Sequence, residues 1–212
     1  MRRRRLLTHC SAWAASLAVP GLAWAAAAPT LLVVGDSLSA EYGLQRGQGW
    51  VALLEARLKK VGKKPYAVVN ASISGDTTSG GRARLAALLS RHKPSLVIIE
   101  LGGNDALRGL PLASSRENLL AMVKAAKAAG AKVLLLGMQV PPNYGAAYGR
   151  EFAGLFTQVA ADQKTALLPF LLKGVADRKD AEDWFQPDRI HPLARAHPLL
   201  LDNVWPVLQP LL

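Results

Sequence analysis

The sequence predicts an α/β fold, a three-layer flavodoxin-like sandwich in which helices cover both faces of a five-stranded parallel sheet. Three observations predict the layers. Short apolar runs recur at Leu31–Val34, Ala67–Val69, Leu96–Leu101, Val133–Leu136 and Ala166–Leu168. They are mostly continuous rather than alternating and several are rich in Val or Ile, as strands buried on both faces require. Helix-like segments separate them, so strand and helix alternate through right-handed crossovers. The chain has 212 residues, 50% hydrophobic and 19% charged, enough for one domain with a sizeable core.

Residues 1–28 stand apart from that core. A basic start, Arg2 to Arg5, leads into an Ala/Leu-rich stretch, and Ala23-Trp24-Ala25 and Ala26-Ala27-Ala28 each offer a cleavage site. This is the pattern of a secretory signal peptide, which leaves 29–212 as one domain in the periplasm or outside the cell. A membrane anchor is disfavoured, because the apolar run is short and Pro20-Gly21 breaks it. Arg3-Arg4-Arg5-Leu6-Leu7 loosely fits twin-arginine export, but the general secretory route also tolerates arginines and is favoured. The one cysteine, Cys10, falls in this segment, so no disulfide is expected in the remainder.

The formal charge is +11, of which Arg2 to Arg5 supply four, leaving 11 − 4 = +7. The rest is scattered apart from a knot at Lys59, Lys60, Lys63 and Lys64, with only Tyr66 as a neighbouring aromatic. A nucleic-acid face shows more clustering than this, so the knot reads as a solvated helix end and no nucleic-acid partner is expected.

The helices follow from their stripes. Trp50, Leu53, Leu54, Leu58 and Val61 share one helical face, as do Leu85, Leu88 and Leu89, then Leu119, Met122, Val123 and Ala126, then Phe152, Leu155, Phe156 and Val159. A last segment, Leu199 to Leu208, carries Val204, Trp205 and Leu208. One sheet accounts for all of these stripes, so a monomer is expected.

In such a fold ligands sit beyond the carboxyl ends of the strands. Four polar clusters are expected there, each directly after a strand. Gly35-Asp36-Ser37 offers a nucleophile, or merely a helix cap. Asn70 to Asp76 contains Gly75, which lets a backbone N–H approach a substrate oxygen, or serves as a turn glycine. Gly102-Gly103-Asn104-Asp105 offers the Asn104 amide as an oxyanion donor, or a turn Asn. Asp188-Arg189-Ile190-His191-Pro192 spaces an acid and a base three apart, so the carboxylate can orient the imidazole. After residue 28 the only other histidines are His92, at a helix end, and His197, which has Ala194 three residues before it. A zinc site on Asp188, His191 and His197 lacks a compact ligand pair and a third strong ligand, so no metal is expected. Together the clusters supply a nucleophile, a base with its orienter, and oxyanion donors.

These blocks resemble the signature blocks of the GDSL, or SGNH, hydrolase family: Gly35-Asp36-Ser37-Leu38, Gly75, Asn104, and His191 with Asp188. The match runs from about Pro29 to the C-terminus in the right order. GDSLSAEYG, VVNASISGDTTSGG, VIIELGGNDALRG and PPNYG are most similar to the branch of periplasmic multifunctional esterases described as thioesterase I, protease I, lysophospholipase or arylesterase. The resemblance implies strand order 2-1-3-4-5, no cofactor, and an acyl ester, thioester or lipid as substrate. It implies Ser37 as nucleophile, His191 as base and Asp188 as its orienter. The Ser37 and Gly75 N–H groups and the Asn104 amide become the oxyanion donors. Leu107, Leu110 and Val140 are candidates to line an acyl channel, although ordinary packing explains each equally well. Glu41, the stretch Gln45 to Gly49, and Arg189 depart from the branch, which has a small residue, a shorter segment and often a small residue there. A carbohydrate acetylesterase of the same superfamily and a non-catalytic envelope binding protein are the rival readings. A receiver-type signalling domain shares the sheet order but lacks a leader and would carry an acidic cluster around Asp36. Transient contact with a membrane surface is the further partner expected.

Overall fold

The computed structural model describes residues 28–61 and 66–212. Apart from Ala28, the expected leader lies outside the described residues, as do Lys63 and Lys64.

Five strands, β1 (Thr30–Gly35), β2 (Ala67–Asn70), β3 (Leu96–Glu100), β4 (Lys132–Leu136) and β5 (Ala166–Leu168), form one parallel sheet in the order β2-β1-β3-β4-β5. The register sets Leu31 beside Leu96 and Val34 beside Ile99, so the two central strands are sealed. Leu31 to Val34 and Leu96 to Ile99 are wholly buried, which is why these runs are continuous rather than alternating.

The helices are α1 (Trp50–Val61), α2 (Thr78–His92), α3 (Gly103–Leu107), α4 (Leu112–Ala128), α5 (Ala146–Gln163) and α6 (His197–Leu208). α1 packs on α6, while α2, α4 and α5 pack in a row. Right-handed crossovers put these two groups on opposite faces of the sheet. α2 starts at Thr77, whose hydroxyl accepts from Gly80 N at 3.3 Å, and ends at Lys93 in a left-handed conformation (φ 43°) before Pro94. The α4 and α5 stripes are buried as expected, and Phe152 meets Phe156 edge to face with centroids 5.3 Å apart. The α1 stripe stops at Leu58. Val61, the helix's last residue, is 60% exposed.

One placement differs from expectation. The Asp188–His191 block does not directly follow β5, which ends at Leu168. An irregular segment of turns, with a short 3-10 turn at Ala181–Trp184, carries it back over the sheet's end. Trp184 anchors that segment between two guanidinium groups, Arg178 at 4.3 Å and Arg195 at 5.1 Å from its ring. Phe185 and Pro192 close it with a single antiparallel bridge.

Candidate active site

β1 delivers the first block. After Gly35 the chain breaks into turns, with Ser39 N and Ala40 N donating to Asp36 O at 3.2 and 3.0 Å. No helix begins at Ser37, since α1 starts only at Trp50. The helix-cap alternative for Ser37 is therefore discarded. It is Asp36 whose Oδ1 accepts from Leu38 N, at 3.0 Å.

Ser37 Oγ lies 2.8 Å from His191 Nε2, and His191 Nδ1 lies 2.6 Å from Asp188 Oδ2. The spacing of three works through a turn. Asp188 Oδ1 accepts from Ile190 N at 2.9 Å and from His191 N at 3.0 Å, so one oxygen shapes the backbone and the other meets the ring. Burial pushes the Asp188 carboxyl up, but the His191 and Ile190 hydrogen bonds outweigh it and hold it below its ordinary value. Arg189 sits between them at φ 58°, a conformation that favours glycine, with its N donating to Gln186 O at 2.8 Å. Its side chain lies 3.4 Å from Glu182.

The oxyanion candidates gather from two further strand ends. Gly75 has φ 79°, and its carbonyl accepts from Arg108 Nη2 at 2.7 Å. Asn104 is the second residue of α3, and its Nδ2 donates both to Asp36 Oδ2 at 3.0 Å and to Asp76 O at 2.9 Å. Both amide hydrogens are thus engaged, so a substrate oxygen must take one over. Asp105, buried beneath, accepts from Thr78 N at 2.9 Å and Ser115 Oγ at 3.0 Å, tying α3 to α2 and α4.

Two groups beside the site were missed in the sequence, one buried and one exposed. Glu100, at the end of β3, is 1% exposed, and its Oε2 accepts from Ser39 Oγ at 2.7 Å and from Asp36 N at 3.3 Å. Burial, then the charge of Asp36, raises its carboxyl well above the ordinary value. Burial also raises Asp36 to about 6, against the hydrogen bond from Leu38 and the influence of His191. An acid closing an otherwise apolar strand run was the available signal. The other group is Tyr42, whose ring lies against His191 with centroids 4.3 Å apart.

A cavity of about 620 Å³ opens beside Ser37, Asn104 and His191. Its walls are mainly apolar, with Leu38, Leu107, Met138, Val140, Phe152 and Phe170 among them, and Asp177, Glu182 and Arg189 also line it. Leu107 and Val140 are among the residues that line it. Leu110 does not; it is 38% exposed, because the turn at Arg108 and Gly109 carries it past the mouth. The size suits a small molecule. Among the described residues, no group of three or more His, Cys, Asp or Glu is placed to hold a metal. His197 is buried, its Nδ1 accepting from Trp50 N at 3.1 Å, so it is committed to packing.

Comparison with known proteins agrees with this geometry. Residues 33–199 match the GDSL-like lipase/acylhydrolase family. The chain is 55% identical to the esterase TesA of Pseudomonas aeruginosa over 210 residues, 99% of this chain and 100% of that protein. It is 42% identical to the thioesterase 1/protease 1/lysophospholipase L1 of Escherichia coli K12 over 187 residues, 88% of this chain and 86% of that one. The crystal structure of TesA superposes with a TM-score of 0.82 at 58% identity, covering 86% of this chain and 99% of that one.

Proposed function

The chain belongs to the GDSL-like lipase/acylhydrolase family, and from that premise we propose that it is a serine esterase hydrolysing acyl esters and thioesters through an acyl-serine intermediate. The observation that carries the reading is the continuous run from Ser37 Oγ through His191 to Asp188, at 2.8 and 2.6 Å, at the mouth of an apolar cavity.

The chemistry follows from the geometry. Ser37 Oγ attacks the acyl carbon while its proton passes to His191 Nε2. Asp188 holds Nδ1–H and stabilises the imidazolium. The backbone N–H groups of Ser37 and Gly75 and one Asn104 N–H receive the oxyanion; Asn104 releases Asp36 Oδ2 or Asp76 O to do so. Collapse breaks the ester C–O or thioester C–S bond, and the leaving group takes the proton from Nε2. Water then attacks the acyl-enzyme, gives a proton to Nε2, and that proton returns to Ser37. The acyl chain lies in the cavity, its methylenes against Leu107, Val140 and the surrounding apolar walls.

Residues 1–28 have the composition of a leader, which supports a place in the periplasm or outside the cell. The protein acts as a monomer, because one sheet buries its apolar stripes. It meets membrane surfaces only transiently, to take lipid-like substrates.

Hydrolysis of p-nitrophenyl esters from acetyl to palmitoyl, by the parent and Ser37→Ala, tests the reading. Serine-dependent activity reaching medium chains is expected, with Ser37→Ala lowering turnover about 10⁴-fold or more. Activity on acetate alone would move the assignment to a deacetylase. A folded parent inert to every ester and to a fluorophosphonate probe would leave only a binding role.

A further inference from the structure

Tyr42 follows the nucleophile by five positions, yet its ring meets the base. The Tyr42 and His191 centroids are 4.3 Å apart with the planes tilted by 39°. A separation at the short end of aromatic contacts turns the π face of Tyr42 toward the imidazole rather than presenting its edge. The ring is 49% exposed, so core packing is not what keeps it there.

Its placement is secured through the backbone on both sides. Glu41, just before it, adopts φ 60°, and its carboxylate accepts from Gly47 N at 3.0 Å and from Gly49 N at 2.8 Å. The acid that departs from the small residue of related esterases thus braces the longer Gln45–Gly49 stretch that also departs from them. A Cβ on Gly49 would stand 2.5 Å from Glu41 Cγ, so the brace requires glycine there. On the other side Gln186 spans the two catalytic segments. Its Nε2 donates to Tyr42 O at 2.9 Å, and its backbone N donates to His191 O at 2.7 Å. The ring and the imidazole are therefore hung from one residue. Gly43 lets the chains come this close: at φ 70°, a Cβ there would lie 2.1 Å from Gln186 Oε1.

Resting on the triad reading above, we propose that Tyr42 is a positioning residue for the reaction: its ring keeps the His191 imidazole in line with Ser37, and its π face stabilises the imidazolium that forms once Nε2 has taken the serine proton. A cation within about 6 Å of an aromatic centroid is attracted by the ring quadrupole. The attraction grows as charge develops on His191, so it acts on the transition state more than on bound substrate. The phenol hydroxyl has no part in it.

The test uses the purified protein and p-nitrophenyl acetate, whose acyl group is too short to depend on the cavity walls. Tyr42→Leu keeps apolar bulk without a π face, and Tyr42→Phe keeps the π face without the hydroxyl. Tyr42→Leu is expected to lower kcat and kcat/KM equally, about three- to tenfold, with KM within about twofold of the parent. Tyr42→Phe is expected to restore turnover to within about twofold. Parent-like kcat in Tyr42→Leu would overturn the proposal. So would an equal loss in Tyr42→Phe, which would assign the effect to the hydroxyl. A raised KM at unchanged kcat would make Tyr42 a wall for substrate and overturn it as well. Ser37→Ala separates the two levels. If that variant is silent and Tyr42→Leu is unaffected, only the role of Tyr42 fails. If it stays active, the triad reading falls and this inference with it.

Discussion

His197 is expected to stabilise the fold only while neutral. It is 2% exposed, and its Nδ1 accepts the backbone N–H of Trp50, the first residue of α1. That N–H is one of the orphan donors of a helix start. His197→Ala leaves it buried without a partner, at about 1–3 kcal/mol, and opens a void where the ring was. The sum is roughly 3–4 kcal/mol, a large share of a typical domain's stability of about 5–15 kcal/mol. His197→Asn puts an amide oxygen near the position of Nδ1 and should recover about 1 kcal/mol. The pH dependence has a definite sign. Burial lowers the pKa of His197 below its ordinary 6.5, against the Pro192 backbone and the Glu41 carboxylate, which pull it up. The folded state thus binds this proton less readily than the unfolded chain. Its contribution is present above pH 6.5 and is lost as pH falls through the folded pKa. Urea unfolding at pH 8 and pH 5 therefore reads a gap between parent and His197→Ala that is wide at pH 8 and narrower at pH 5. An equal gap at both pH values, or a gap below about 1 kcal/mol at pH 8, would refute the reasoning.

Two further substitutions test the packing. Gly81→Ala puts a Cβ 2.2 Å from Leu101 Cδ1 and 3.3 Å from Met122 Sδ, between α2 and α4. Overpacking there outweighs the gain in helix propensity, so a net loss of about 1–2 kcal/mol in chemical denaturation is expected. Gly154→Ala, also within a helix but with nothing within 4 Å of the new atom, should instead gain up to about 1 kcal/mol. The pair fails as a test of packing if both variants move the same way. Glu41→Ala removes the acceptor of Gly47 N and Gly49 N while keeping the left-handed backbone. Native-state trypsin cleavage after Arg46 should speed up about tenfold, followed by mass spectrometry, from the loss of charge-assisted bonds worth about 1.5–3 kcal/mol. Unchanged cleavage would show that the carboxylate does not brace the loop.

Much of the fold was legible because two-sided burial writes itself locally. A run such as Leu31–Val34 or Leu96–Ile99 has no polar face to show, and its neighbours carry the helical stripe. Ser37 was legible as a polar block directly after a strand, and Asp188 and His191 as an acid and a base three apart, but the irregular segment that carries the latter pair back to the sheet's end was not. The contacts that place them were not. Tyr42 reads as a loop tyrosine and Gln186 as a turn glutamine until the chain brings residues from opposite ends together. Leu110 has the same composition signal as Leu107, and only the turn at Gly109 decides that one lines the cavity and the other does not. Glu100 showed as an acid in an apolar run, but its partner Ser39 lies on another strand's loop. Long-range pairing of this kind leaves no period in a sequence.

The proposed triad draws its members from two distant segments, and Cys10, the chain's one cysteine, cannot cross-link them. Buried polar bonds must do that work, and they converge on Trp50. Its indole Nε1 donates to Ser39 Oγ at 3.2 Å, and Ser39 Oγ donates in turn to Glu100 at 2.7 Å, which fixes the turn that carries Ser37. Its backbone N donates to His197, which opens α6 just after His191. One wholly buried residue thus holds the turn of Ser37 with its side chain and the segment that follows His191 with its main chain. Gly35 completes the junction, since a Cβ there would stand 2.8 Å from both Glu100 Oε2 and Ser39 Oγ. Burial, then the charge of Asp36, raises the Glu100 carboxyl well above its ordinary value, which disfavours a second negative charge beside Asp36, while its Oε2 accepts from Ser39 Oγ and the Asp36 N–H. Gly35 is therefore a packing requirement of the buried carboxyl behind it, and the placement of Ser37 and His191 depends on bonds through Trp50, Ser39 and Glu100, none of which lines the cavity.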